Sequence, residues 1–258
     1  MRESTLIPRA KLALGVVGGL GPRASAEFVR TIYEYSSGLP EQDTPFVALY
    51  SDPSVPDRTV ALLNGDLEPL LSGLRRALDG LRLLGANKIV ICCITGHEMI
   101  KYLSENERRG IISLVDVIMR AVAAAADKRY LLLSTNGTRK LRIFESHPIW
   151  PLVRGHLICP VGDDQQTVHD LIYDLKRGAL TARHIEAVKR MLVKYETDSL
   201  IAGCTEIHLI VKDLMRLPGN SMSIAGCVDP LVTIAEAISR GRIDELLTDI
   251  SDAPAPQT

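Results

Sequence analysis

The chain has 258 residues, 46% of them hydrophobic. That is enough to bury a sizeable core, and the length fits one large domain or two small ones. Thirty Lys and Arg against thirty-one Asp and Glu leave a net charge of −1, so no overall field draws the chain to nucleic acid or to an anionic membrane, and the expected partner is small.

Taken in order, Leu12 to Val17 reads as a buried strand, followed by the turn Gly18-Gly19-Leu20-Gly21 and a helix from about Pro22 to Tyr35. Phe46 to Tyr50 is a second strand. A helix from about Leu67 to Leu84 follows, with Gly85 as its C-cap. Lys88 to Cys93 is a strand, a helical stretch starts near His97, and Ile111 to Val115 is a strand leading into an Ala-rich helix that ends near Lys128. This is βαβα order, and continuous apolar strands such as IVICC suit a parallel sheet covered on both faces.

A similar order then begins again. Tyr130 to Ser134 reads as a strand leading into Thr135-Asn136-Gly137-Thr138, as the first strand leads into its glycine-rich turn. In each half a later strand ends in cysteine, IVICCITGH in the first and LIAGCTEIH in the second. Each cysteine is followed, 23 and 25 residues on, by a strand ending in Val-Asp, at Val115-Asp116 and Val228-Asp229. The pattern is that of a duplication, which places ligand chemistry in the crevice shared by the carboxyl ends of the strands. Residues 249–258 lack periodicity and apolar content and are expected to be a disordered tail.

No run approaches the ~20 apolar residues of a membrane helix, and the first residues carry no signal-peptide pattern. Five cysteines form neither an even framework nor a CxxC motif, which suits a reducing, cytoplasmic compartment. A cysteine at a strand end ahead of a helix lies near unpaired backbone N–H groups, whose partial positive charge lowers the thiol pKa and favours thiolate. Cys93 and Cys204 both hold such a position. Either alone reads equally well as a small buried hydrophobe, but at equivalent places in two halves they point to function. Cys92 faces the other side of its strand and is assigned to the core with Cys159 and Cys227. His97 and His208 each follow their cysteine by four residues, and each either tunes the thiol or caps and packs. Glu206 either orients a thiol or serves as a first-turn acid.

Five motifs in sequence, GGLGP at Gly18 to Pro22, PDRT at Pro56 to Thr59, Cys93-x-Thr95-x-His97, Ser134-Thr135-x-Gly137-Thr138 and Gly203-Cys204-Thr205-Glu206, resemble the aspartate/glutamate racemase superfamily over nearly the whole chain. The resemblance implies an α/β fold of two similar three-layer domains. Their mostly parallel sheets would be related by a pseudo-twofold axis, with the active site in the cleft between them. It also implies that residues 1–118 and 221–248 form one domain and 119–220 the other, often in a homodimer. The implied activity is racemisation of a small acidic amino acid without pyridoxal phosphate or metal. Cys93 and Cys204 would then remove and return the Cα proton on opposite faces, one as thiolate and one as thiol, titrating as a pair.

Around the substrate, the threonine hydroxyls of Thr95, Thr135, Thr138 and Thr205 and backbone N–H groups are expected to stabilise the developing negative charge, with Gly19, Leu20 and Glu206 also in the site. Capping is the alternative task for the threonines. Arg58 matches the family position that binds a distal carboxylate. Lys176 matches a second anchoring cation, or else is a favourable charge at a helix end. Ile94 stands where the family has Asn, which points to a modified, less polar or larger acid, or to weak catalysis.

Three other readings compete. Gly19-x-Gly21-x-x-Ala24 resembles a dinucleotide fingerprint, but Pro22 stiffens the turn and no acidic residue ends a second strand ~20 residues on. The same fold also serves an isomerase or lyase acting on a small dicarboxylic acid, or a non-catalytic amino-acid binder. A metal site on Cys204 and His208 has two ligands and lacks a third nearby.

Overall fold

The computed structural model describes residues 13–125, 127–178, 180–216 and 226–247; the proposed tail and Leu12 lie outside them. The first half comprises β1 (Ala13–Gly18), α1 (Pro22–Tyr35), β2 (Phe46–Ser51), α2 (Arg58–Asn64), α3 (Glu68–Leu83), β3 (Lys88–Ile91), a 3-10 helix (Thr95–Tyr102), α4 (Glu105–Arg108), β4 (Ile111–Ile112) and α5 (Leu114–Ala124). The second comprises β5 (Tyr130–Leu133), α6 (Asn136–Lys140), α7 (Trp150–Val153), β6 (Leu157–Ile158), α8 (Gly162–Arg177), α9 (Ala182–Lys194), β7 (Leu200–Ala202), α10 (Ile207–Arg216), β8 (Cys227–Val228) and α11 (Pro230–Ser239).

Each half builds a four-stranded sheet, ordered β2-β1-β3-β4 and β6-β5-β7-β8, with every pairing parallel. The two orders are the same once β1 is matched to β5. The central strands are apolar on both faces because both faces are covered. Val90 and Cys92 join one core with Leu14, Val16, Leu132 and Ile201. Ile89 and Ile91 point the other way, onto Leu74, Leu78 and Leu81 of α3. In the second half Leu131, Leu133 and Leu200 face Leu171, Leu175 and Val188 of α8 and α9. Period-two alternation thus sends one set of side chains to an outer helical layer and the other to a core shared by the halves.

The helices at the ends of the two repeats cross over. α5 follows the edge strand of the first sheet yet packs against α7 and β8, and α11 follows the edge strand of the second yet packs against α1. The return to the first half expected from about residue 221 therefore begins at α11, since β8 still completes the second sheet through its pairing with β7. The boundary expected at residue 118 falls inside α5.

The third expected strand pair also needs correction. β4 ends at Ile112 and Ser113 caps α5, so Val115 and Asp116 are helical, and the counterpart of Asp229, which caps α11, is Ser113. Gly85 follows α3 with φ +89°, the left-handed geometry of a helix terminator. Among the described residues no helix is long and apolar enough to cross a membrane.

Candidate active site

In both sheets the strand order reverses between the first strand and its neighbour, β1 beside β3 and β5 beside β7, so a crevice opens at their carboxyl ends. Cys93 lies two residues past β3 and Cys204 two past β7, so both cysteines stand at this point of their halves. The loop after β1 lies alongside Cys93. Gly19 adopts φ +79° there, and a Cβ would sit 2.3 Å from the backbone of Asp52, so only glycine lets the loop fold this closely. The cysteines are 8% and 5% exposed, and Thr95, Thr205 and Glu206 are as deeply enclosed. The halves are closed over the site.

Polar contacts between the halves surround the cysteines. Thr95 of the first half meets Thr138 at 2.9 Å and Thr135 at 3.3 Å, and the latter two lie 3.0 Å apart, a buried ring of three hydroxyls. Thr135 also caps α6 by accepting from the Thr138 N–H, so capping and site-lining are not exclusive here. Thr205 donates to the carbonyl of Cys92 at 3.3 Å. Glu206 lies directly against the Cα of Gly21, where a Cβ would be 2.0 Å from Oε1.

Cys204 donates its S–H to Glu206 Oε2 at 2.8 Å. Burial, and then the charge of Glu206, push the Cys204 thiol well above its ordinary pKa, with Lys176 opposing. The sequence expectation of a lowered pKa fails at Cys204 because burial, and then an enclosed carboxylate two residues on, outweigh the helix terminus. Lys176, in the last turn of α8, faces inward and is no mere helix-end charge. Burial works against its ammonium, yet the charges of Cys204, Glu206 and Cys93 outweigh this and raise its pKa. Lys176 also lies 3.8 Å from Asp57 Oδ2 and 4.3 Å from the centre of the Tyr173 ring. Tyr173 donates to the same Asp57 oxygen at 2.9 Å. Sequence reasoning missed Asp57 and Tyr173. The signals were available: Asp57 is the N-cap inside PDRT, and Tyr173 precedes Lys176 by three residues on one helical face.

Arg58 is buried, and its guanidinium donates to the carbonyls of Val55, Pro56 and Leu20. Three of about five donors thus fasten the loops bearing Leu20 and Pro56, and Nε is buried without a partner. Leu20 enters the site region through its backbone, its side chain packing with Ala61, Leu62 and Met99. Ile94 is fully buried in the shared core with Cys92 and Leu114, so its side chain does not line the cleft as expected; an apolar residue next to Cys93 turns inward. Cys159 and Cys227 are half-buried at the margins of the cores rather than within them.

Neither histidine touches a sulfur. His97 binds the Cys93 carbonyl through Nδ1 at 2.8 Å and accepts from the Leu114 N–H, the first of α5, through Nε2 at 2.9 Å. His208 contacts Asp229, the cap of α11, at 2.7 Å and Thr31 of α1 at 3.0 Å. Each histidine ties its cysteine's segment to the start of a crossing helix. Among the described residues no three His, Cys, Asp or Glu side chains converge to hold a metal.

The family model for Asp/Glu/hydantoin racemases matches residues 17–237. An uncharacterized protein in the pnlA 3' region of Pectobacterium carotovorum subsp. carotovorum is 31% identical over 118 residues, covering 44% of this chain and 76% of that protein. Among solved structures, Picrophilus torridus aspartate racemase is similar at TM-score 0.71 and 22% identity, over 91% of this chain and 94% of that one. An aspartate racemase homologue from Pyrococcus horikoshii OT3 is similar at TM-score 0.62 and 18% identity, over 91% and 98%. With matched parallel sheets, a cysteine two residues past the third strand of each, and a family model spanning most of its length, this chain belongs to the Asp/Glu/hydantoin racemase family.

Proposed function

We propose that this chain is a racemase or epimerase of an aspartate- or glutamate-like amino acid or derivative, passing a Cα proton between Cys93 and Cys204 without pyridoxal phosphate or metal. The observation that supports this best is the pair of buried cysteines at matched strand ends of facing halves, with the Lys176 ammonium coupled to both. One base cannot easily remove a proton from one face of Cα and return one to the other. Two opposed thiols can, one accepting while the other donates.

In this reading the electron pair left on Cα delocalises into the adjacent carboxylate, where donors must meet the growing charge. The hydroxyl ring of Thr95, Thr135 and Thr138 suits that task, because hydroxyl protons rotate to suit an arriving anion. Lys176 exchanges Asp57 for the substrate's distal carboxylate. Arg58 serves through the loop it fastens, with Nε as its spare donor. With Ile94 in the core, the cleft has no amide beside Cys93, which favours a modified or larger acid. Closure over the site removes water and strengthens each of these interactions.

The test is proton NMR in D2O with each enantiomer of aspartate, glutamate and a panel of larger derivatives. Loss of the Cα signal from both enantiomers of one compound is the expected result. No loss from any of them sinks the reading and leaves the lyase or binding alternatives. Full racemisation by both Cys93→Ser and Cys204→Ser would eliminate the two-thiol step. The proposal also carries a cytoplasmic homodimer, for which sedimentation equilibrium tests the assembly.

A further inference from the structure

We infer that Glu206 holds Cys204 as the protonated partner of the resting site, so that Cys93 takes the first proton from substrate; this rests on the proposed two-thiol reading. A carboxylate can only accept, and its Oε2 accepts the Cys204 S–H at 2.8 Å. Ionising Cys204 would forfeit that bond and set a second negative charge beside the first in an enclosed site. Glu206 has little freedom to withdraw. It is 2% exposed, Oε1 is buried without a partner, and the carboxylate rests on Gly21. The hydroxyl of Thr205 lies 3.5 Å from Oε2 and closer to the Cys92 carbonyl, at 3.3 Å. Lys176 counters the charge of both sulfurs, so it does not favour Cys204 alone.

The first half differs at the matching place. Two residues after Cys93 stands Thr95, a neutral hydroxyl engaged with Thr135 and Thr138. The duplication therefore supplies two cysteines in like positions, and one carboxylate makes them unequal. From rest, the Cα–H proton passes to the Cys93 thiolate while its electron pair stays on Cα, and Cys204 then gives its proton to the opposite face and becomes thiolate. Rest is restored when one proton moves from Cys93 to Cys204, through solvent or through a substrate of the opposite hand. Enantiomers have equal free energy, so kcat/KM is equal in both directions whatever the site does. The asymmetry must be read from protonation and from single-cysteine variants.

Ultraviolet thiolate absorbance is titrated in wild type, Cys204→Ser, Glu206→Gln and the double variant Glu206→Gln/Cys204→Ser. Each pair differing at position 204 isolates Cys204 with and without the carboxylate. Loss of the carboxylate is expected to raise the Cys204 thiolate fraction about tenfold or more at a given pH below its midpoint. Should Glu206→Gln fail to fold, Glu206→Asp, which draws the charge back by one methylene, is expected to shift Cys204 the same way by less. An unshifted Cys204 in the folded variants overturns the inference, whatever the substrate, so its failure is separable from failure of the racemase reading. With substrate in D2O, Cys204→Ser is expected to exchange one enantiomer at least tenfold faster than Cys93→Ser exchanges the other. Adding Glu206→Gln to Cys93→Ser is expected to speed its exchange; equal rates in the two single variants would also overturn it.

Discussion

Acidification to about pH 5 is expected to weaken the fold by titrating His97. Its ring is enclosed. Because the Leu114 N–H can only donate, Nε2 is the unprotonated nitrogen and Nδ1–H donates to the Cys93 carbonyl, so the folded ring is neutral. Protonation breaks the Leu114 bond and buries a charge, and burial lowers the His97 pKa from 6.5 to about 4. The sign follows from linkage: the unfolded chain takes up the proton first, so the stabilisation is complete above the unfolded value and is lost as pH falls toward the folded one. At 1.36 kcal/mol per pKa unit the whole span is about 3 kcal/mol, of which about 2 kcal/mol disappears between about pH 7 and pH 5. His97→Gln offers an acceptor to Leu114 and does not titrate. Urea unfolding of both proteins at both pH values cancels the carboxylates they share, and the wild type is expected to lose about 2 kcal/mol more than the variant. Equal losses would refute a neutral, enclosed His97.

Gly21 has φ −173°, which alanine adopts freely, so Gly21→Ala meets only the Glu206 carboxylate, which must retreat from 2.0 Å to ordinary contact near 3.4 Å. Because the enclosed carboxylate has little room to retreat, the substitution is expected to cost about 1–3 kcal/mol of stability while Cα exchange falls about 100-fold; an unchanged exchange rate would show that the Glu206 position is immaterial. Lys176→Met is expected to raise KM for an acidic substrate at least about tenfold, and an unchanged KM would move the anchoring charge elsewhere. Asp229→Ala strips the His208 ring and the Leu231 and Val232 N–H groups of their shared acceptor, at a cost of about 3 kcal/mol or more by denaturation. A loss below about 1 kcal/mol would mean that water replaces the carboxylate.

Much of this was legible in the chain, for identifiable reasons. Central strands of a doubly covered parallel sheet are apolar throughout, so IVICC and LIAGC declared both their depth and the cysteines at their ends. What stayed hidden was whatever depends on another element's approach. PDRT contains an arginine, but only the fold shows its donors turned onto the carbonyls of Val55, Pro56 and Leu20. Ile94 sits beside Cys93 in sequence, yet the turn after β3 directs it into the shared core. A run such as Ile111 to Val115 satisfies strand and helix patterns alike, and the cap at Ser113 decided for helix from Leu114. The helix-dipole expectation for Cys204 failed because a local rule ignores the burial of the thiol, and after it an enclosed charge two residues away.

The two histidines show how the fold uses its symmetry where the chemistry departs from it. Four residues after each cysteine, a histidine reaches the start of a helix that crosses to the other half: His97 binds the first amide of α5, and His208 binds the carboxylate capping α11. The crossing helices pack against each other and against the opposite half. The same spacing thus serves both repeats, with different partners. Between cysteine and histidine the repeats diverge, Ile94-Thr95-Gly96 against Thr205-Glu206-Ile207. The two cysteines hold matched places in the common frame, and in the inference above the residue two positions on, Thr95 or Glu206, decides which of them holds the proton. Swapping the pair Thr95→Glu with Glu206→Thr separates the two contributions. If the frame alone decides which cysteine rests protonated, Cys204 stays the thiol and Cys93 the thiolate; if the carboxylate decides, Cys93 becomes the protonated partner and the thiolate moves to Cys204.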